Sequence, residues 1–249
     1  MRRKYLKLFG EPELHSHLRW KGVLPLLDLS ASRTLEVGCG EGIMLLELWS
    51  RSEDDASFVG IELDSGSVEW GNTILKALNA SRVSISRGIA YPLSFGDREF
   101  DQVLLIDVLE HLADDLAALR EIHRVLQPGG RLVISVPTPT FPIAFGREFA
   151  DRIGHLRDGY WLEDLQNILE ETGFHLKKAL YHTGPIASRL CSIWYKSGLG
   201  RSEALGALSF PFLRSIALLG EKTRSGPQKN CSLAILAEKP LDADLVPHS

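Results

Sequence analysis

Two stretches of this 249-residue chain set chemically capable residues side by side. In TLEVGCGEG, residues 34–42, Gly38, Gly40 and Gly42 recur at every second position between two apolar runs, flanked by Glu36 and Glu41. A glycine turn between a strand and a helix lets a ligand approach bare backbone. In DVLEH, residues 107–111, Asp107, Glu110 and His111 stand at i, i+3 and i+4. In a helical turn they would share one face. They could hold a divalent metal, or Glu110 and His111 could brace the turn against its neighbours; bracing is the reading we adopt, with no metal. His15 and His17 are two apart and share no helical face, so they do not form a metal pair.

The glycine loop discriminates between cofactors. A nicotinamide loop reads G-x-G-x-x-G and seats pyrophosphate on the helix N-terminus. Here the third glycine comes one position early, and Glu41 stands where the phosphates would lie. Like charges in a partly dry cleft repel strongly at short range. A cofactor without phosphate and with positive charge removes the conflict. S-adenosylmethionine (SAM), with a sulfonium and an ammonium against one carboxylate, is such a molecule. A dinucleotide-dependent oxidoreductase and a non-catalytic SAM-binding protein remain the rival readings.

The elements that must position these residues follow from periodicity. RTLEVGC reads as a strand, GIMLLELWSR as a helix, SFVGIEL (57–63) as a second strand, and 67–79 as a helix. RVSISRG (82–88) and EFDQVLLID (99–107) read as the next strands, the latter with the continuous apolar run of a strand buried on both faces. Leu112, Leu116, Leu119, Ile122, Val125 and Leu126 recur at helical spacing up to QPGG, where proline and glycine should stop the helix. RLVISVP is the fifth strand, YWLEDLQNILEETGF a helix, and HLKKALYH and CSLAILAEK two late strands. Alternation from 34 to 137 predicts a doubly wound parallel sheet. Ligands then sit at the carboxyl ends of the strands.

With the segments in this order, the chain resembles the class I SAM-dependent methyltransferases of small molecules (type 11/12-like). The resemblance rests on LEVGCGEG, VGIELD, RGIAYPLSFGDREFDQVLLIDVLEHL and LREIHRVLQPGGRLVISVP, over about residues 33–184 and the closing strand near 231–239. It implies a Rossmann-like sheet of about seven strands with the last antiparallel. As one domain, the chain divides into an N-terminal helical segment (1–32), a core (33–184 and 226–240) and a helical cap insertion (185–225). It implies SAM as cofactor, held by Glu36, Gly38, Cys39, Gly40, Glu62, Leu63 and Asp107, with Glu62 on the ribose hydroxyls. An aspartate that often contacts adenine is replaced by Ile89, so the backbone near Ala90 takes that place. Glu36 could equally hold loop amides, and Asp64 could simply cap the next helix. Methyl transfer would go to a small-molecule acceptor at a hydroxyl oxygen (quinone-like, sugar or other metabolite), by in-line displacement at the sulfonium methyl.

A hydroxyl nucleophile needs a base, and His111 and His155 are the candidates. Arg157 and Tyr160, beside Trp161, suit an oxygen-rich or aromatic acceptor, or else anchor a helix start. In 185–225, Ile186, Leu190, Ile193 and Trp194 recur at helical spacing and Pro211 starts another helix. These short apolar helices should cover the strand ends, with Trp194 and Phe212 as pocket walls, or serve as a dimer contact. The net charge of -4 excludes a global nucleic-acid footprint. The fourth strand also lacks the Asn/Asp-Pro-Pro-aromatic signature of enzymes that methylate base amino groups. Cys39, Cys191 and Cys231 have no close spacing, so no disulfide framework or metal ribbon is expected, and a reducing cytoplasm fits. No apolar run approaches the ~20 residues of a membrane span. MRRKYLKLFG lacks the apolar core of a signal peptide; Arg2, Arg3, Lys4 and Lys7 could touch a membrane surface, though a docked terminal helix is preferred.

Overall fold

A computed structural model describes residues 14–52, 55–197, 212–219 and 227–242. The basic N-terminal residues 2–9 and most of the late segment between 198 and 226, including Pro211, lie outside the described residues.

Seven strands form one sheet in the order β3-β2-β1-β4-β5-β7-β6. They are β1 (Arg33–Val37), β2 (Ser57–Glu62), β3 (Val83–Arg87), β4 (Phe100–Ile106), β5 (Leu126–Pro137), β6 (His175–His182) and β7 (Ser232–Glu238). The pairs β1–β2, β2–β3, β1–β4 and β4–β5 are parallel, and β7 runs antiparallel to both β5 and β6. The order turns back between β1 and β4, which opens a crevice at their carboxyl ends.

The helices are α1 (Leu14–Val23), α2 (Ile43–Arg51), α3 (Ser65–Leu78), α4 (Asp115–Val125), α5 (Phe141–Phe145), α6 (Arg147–Arg152), α7 (Leu162–Glu171), α8 (Pro185–Ser197) and a helical segment at 212–219. Asp64 caps α3 by accepting the Ser67 amide at 2.7 Å, and Asp114 caps α4 through Ala117 at 2.8 Å. β4 reads as a continuous apolar run because Val103, Leu104 and Leu105 are all sealed, covered from both faces.

QPGG ends the helix but does not delay the strand. β5 begins at Leu126, directly after α4, with Leu126 opposite Phe100 and an irregularity before Gln102–Arg131. The Lys239 ammonium donates to the carbonyls of His123 and Leu126 at 2.7 and 2.8 Å, satisfying acceptors that α4 leaves open at its end.

One apolar cluster fills each face of the sheet. A third stands apart: Leu14 and Leu18 of α1, Phe141 and Phe145 of α5, Cys191 and Trp194 of α8, and Ala217. The first helix and the late helices therefore meet each other. Trp194 is sealed inside that cluster and Phe212 is on the surface, so neither walls a pocket as expected. The three cysteines are free and buried.

Candidate active site

Three cavities converge on Asp107, at the end of β4. Asp107 adopts a left-handed backbone, φ 52°, which an ordinary side chain rarely takes. Bonds to β5 and α1 hold it there. Its amide donates to the Ser135 carbonyl at 2.7 Å, its Oδ1 accepts the Ser135 hydroxyl at 3.1 Å, and its Oδ2 accepts Arg19 of α1 at 2.7 Å. Strain of this kind persists only where the surroundings over-determine it.

The first cavity, about 310 Å³, lies over the glycine loop and includes Arg19, Glu36, Gly40, Glu47 and Asp107. Gly38 and Gly40 both have positive φ, 70° and 52°. A Cβ on Gly38 would come within 2.4 Å of Val108, whereas one on Gly40 would meet nothing within 4 Å and would project into open space. Glu36 is 3% exposed, and its Oε2 has no hydrogen-bond partner among the described residues. Burial pushes its carboxyl up to about 8; Arg19 opposes the shift and Glu62 adds to it. A buried carboxylate oxygen aimed at a cavity is costly until a cation or donor meets it. The second cavity, about 540 Å³, is more apolar and includes Ile61, Glu62, Leu63, Ile89, Ala90 and Leu112. Glu62 Oε2 accepts the Gly40 amide at 2.9 Å, and its Oε1 accepts the Leu63 and Asp64 amides at 2.7 and 2.9 Å. One carboxylate thus ties the glycine loop to the end of β2. Cys39 is buried beside them; burial pushes its thiol far up, so it stays protonated and is no nucleophile.

The third cavity, about 380 Å³, joins Asp107, Glu110, His111 and His155 to the rings of Phe141, Phe145 and Phe149. Glu110 is 1% exposed. Burial raises its carboxyl well above the usual range, and Asp107 adds to the effect. His111 Nδ1 is 3.0 Å from the Gly154 carbonyl oxygen, which can only accept. Nδ1 therefore carries a proton toward that oxygen, and in the neutral ring the lone pair is on Nε2. The rings of His111 and His155 meet edge-on, with centroids 4.9 Å apart. Burial, then His111, lowers His155 below the usual imidazole range, keeping it neutral at pH 7.

Glu36, Gly38, Cys39, Gly40, Glu62, Leu63, Ala90, Asp107, His111 and His155 thus all line the three cavities. Arg157 and Tyr160 do not. Arg157 pairs with Asp115 and donates to the Leu112 carbonyl, and the buried Tyr160 hydroxyl donates to Asp115 at 3.0 Å. They fasten the loop before α7 to the start of α4 instead of reaching toward an acceptor. Sequence reading missed Ser16 and Arg19, which line the first and third cavities, and the phenylalanines of α5 and α6. No local signal marks Arg19, because its partner Asp107 is distant in the chain. The FPIAFGREF spacing was a visible aromatic signal that went unused.

A family model for a methyltransferase domain matches residues 35–134. The chain is 28% identical over 213 residues to a demethylmenaquinone methyltransferase of Staphylococcus saprophyticus, covering 74% of this chain and 89% of that protein. It is 31% identical over 115 residues to the ubiquinone/menaquinone biosynthesis C-methyltransferase UbiE of a Geobacter species, covering 45% and 49% of the two chains. The solved SAM-dependent methyltransferase of Aquifex aeolicus has the same fold: TM-score 0.59 at 15% identity, over 96% of this chain and 97% of that one. Among the described residues, no helix is long and apolar enough to cross a membrane. The inserted antiparallel β7, the glycine loop after β1 and the matching domain model together support a class I SAM-dependent methyltransferase.

Proposed function

We propose that the chain methylates a hydroxylated, quinone-like aromatic acceptor at a hydroxyl oxygen. The observation that carries this reading is the third cavity: a ring-lined space with two imidazoles in edge-on contact, meeting the other two cavities at Asp107. The names of the relatives point to quinone-type acceptors as well.

In this reading the cofactor spans the first two cavities. Its residues are Glu36, Gly38, Cys39, Gly40 and Asp107 on the methionine side, and Glu62, Leu63 and Ala90 on the adenosine side. Glu36 meets the ammonium with its unpartnered oxygen, a charge-assisted contact that a phosphate-bearing dinucleotide would not supply. Glu62 exchanges some of its loop amides for the ribose hydroxyls. Bound SAM supplies an electrophilic methyl for in-line displacement, so the protein's task is alignment and exclusion of water.

The acceptor ring lies among Phe141, Phe145 and Phe149. His111 Nε2 takes the hydroxyl proton, while Nδ1 stays bonded to the Gly154 carbonyl. Arg19, held by Asp107, closes the site from α1. A second reading shares every step but the last. Deprotonating a phenol also makes its ring carbon nucleophilic, and one relative is named as a C-methyltransferase.

Incubating the full chain with SAM carrying a deuterated methyl group and a panel of hydroquinones tests the proposal. A labelled methyl ether identified by NMR is the expected product. A labelled ring methyl would select the second reading. No turnover on any quinol, with SAM binding intact, would remove the acceptor class.

A further inference from the structure

We propose that Glu110, His111 and His155 form a binding site for one divalent cation of the zinc class, at the wall of the third cavity. One ligand atom from each residue can be chosen so that all three lie within 4.8 Å of one another, and no ion is present. In the sequence, Asp107, Glu110 and His111 are the alternative metal set to the bracing reading adopted there. The structure gives Asp107 to Arg19 and brings His155 from beyond β5 in its place.

The separations of Glu110 from the two histidines suit ligands of one ion better than a hydrogen-bonded brace. Glu110 Oε1 is 3.9 Å from His111 Nε2 and 3.8 Å from His155 Nε2, both too long for hydrogen bonds. Ligand atoms each ~2.1 Å from one ion stand roughly 3–4 Å apart. Glu110 is 1% exposed, yet its Oε2 has no partner among the described residues. A bracing carboxylate would use that oxygen. The His111 Nδ1–H bond to the Gly154 carbonyl is the arrangement that metal-binding imidazoles usually need behind them, because it fixes the ring and leaves Nε2 to the ion.

Two imidazoles and one carboxylate suit Zn²⁺, Co²⁺ or Fe²⁺ better than Mg²⁺ or Ca²⁺, which prefer all-oxygen shells. Three protein ligands also leave a position open, facing the cavity. There an acceptor oxygen could join the ion. The ion would then favour loss of the hydroxyl proton to water and take over the task of the His111 lone pair. That catalytic use rests on the acceptor reading above. The site itself does not.

The test uses the full chain stripped with a chelator and titrated with Co²⁺ and Zn²⁺. Visible d–d absorption reports Co²⁺ in a low-symmetry nitrogen and oxygen shell. We expect one Co²⁺ per chain, displaced by Zn²⁺ but not by excess Mg²⁺. Glu110→Gln, His111→Gln and His155→Gln should each weaken binding on the order of 100-fold or more, and His175→Gln on β6 should leave it unchanged. Far-UV circular dichroism and SAM calorimetry on each variant check the fold. His111 is the most exposed of the three, so its variant serves if Glu110→Gln misfolds. Absence of the band in wild type, or binding that persists in the folded variants, would overturn the site. One-to-one binding that the variants abolish, combined with no transfer to any quinol, would uphold the site and reject only the acceptor class.

Discussion

The cavities over the glycine loop and the cavity by the histidines are built in opposite ways. The first two are backbone sites. Glu62 gathers the amides of Gly40, Leu63 and Asp64, and a positive φ at Gly40 leaves space where a side chain would stand. The glycine loop and its two carboxylates come from β1, β2 and the turns just beyond them, and Arg19, Ala90 and Asp107 complete the walls. The third is a side-chain site, assembled from α1, the end of β4, the turn after it, and α5–α6. A backbone site keeps its specificity for one cofactor as long as the turns hold. A side-chain site can change its acceptor by exchanging rings. The difference teaches where this chain can evolve and where it cannot.

Removing the base should produce the largest effect. His111→Ala should lower kcat by about 10²–10⁴ while the SAM dissociation constant stays within about threefold. A similar loss of SAM affinity would show that the two regions are not separable. Next comes the backbone site. Glu62→Ala removes a charged acceptor worth roughly 1.5–3 kcal/mol per bond, so calorimetry should show SAM binding weakened about 100-fold. A change below threefold in a folded variant would relocate the ribose contact.

The pH dependence is a smaller effect. Burial raises Glu36 to about 8, above its unfolded value near 4.5, so the folded chain holds a proton there that the unfolded chain has lost. The resulting stabilisation is fully present below about pH 4.5 and is lost as pH rises toward 8. SAM binding, which favours ionised Glu36, should strengthen severalfold per unit between pH 6 and 8. Glu36→Gln should flatten both profiles, read by thermal melts and calorimetry. Tyr160→Phe should be smallest of all. It removes a buried hydroxyl bond to Asp115, costing about 1 kcal/mol of stability, and should leave the acceptor KM unchanged. A raised KM would return Tyr160 to the acceptor site.

The same contrast explains what could be read without coordinates. The glycine loop, Glu62 at the end of β2 and the strand alternation are local, so spacing exposed them. His155 meets Glu110 only because the chain crosses β5 and turns back through α5 and α6, and no spacing encodes that. Arg157 and Tyr160 misled for a physical reason. A polar group beside an aromatic ring suits a ligand, but a buried tyrosine hydroxyl needs a partner in any case. Here Asp115 is that partner, joined by Arg157. QPGG marks the helix stop in the sequence; nothing local marks the strand's start at Leu126, whose carbonyl accepts from the distant Lys239.

The position of β7 bears on how the chain is made. β6 reaches the sheet only through β7, and β7 follows every other strand in the sequence. During synthesis β1 through β4 can pair as they emerge, and the cofactor half can take shape early. β5 must then wait with one edge bare, and β6 with no neighbour, until residues 232–238 clear the ribosome and slide between them. An unpaired edge of sealed apolar residues is a template for wrong partners. Completion of this sheet therefore waits for residues 232–238, and a chain cut between β6 and residue 232 would keep two open seams, at β5 and at β6.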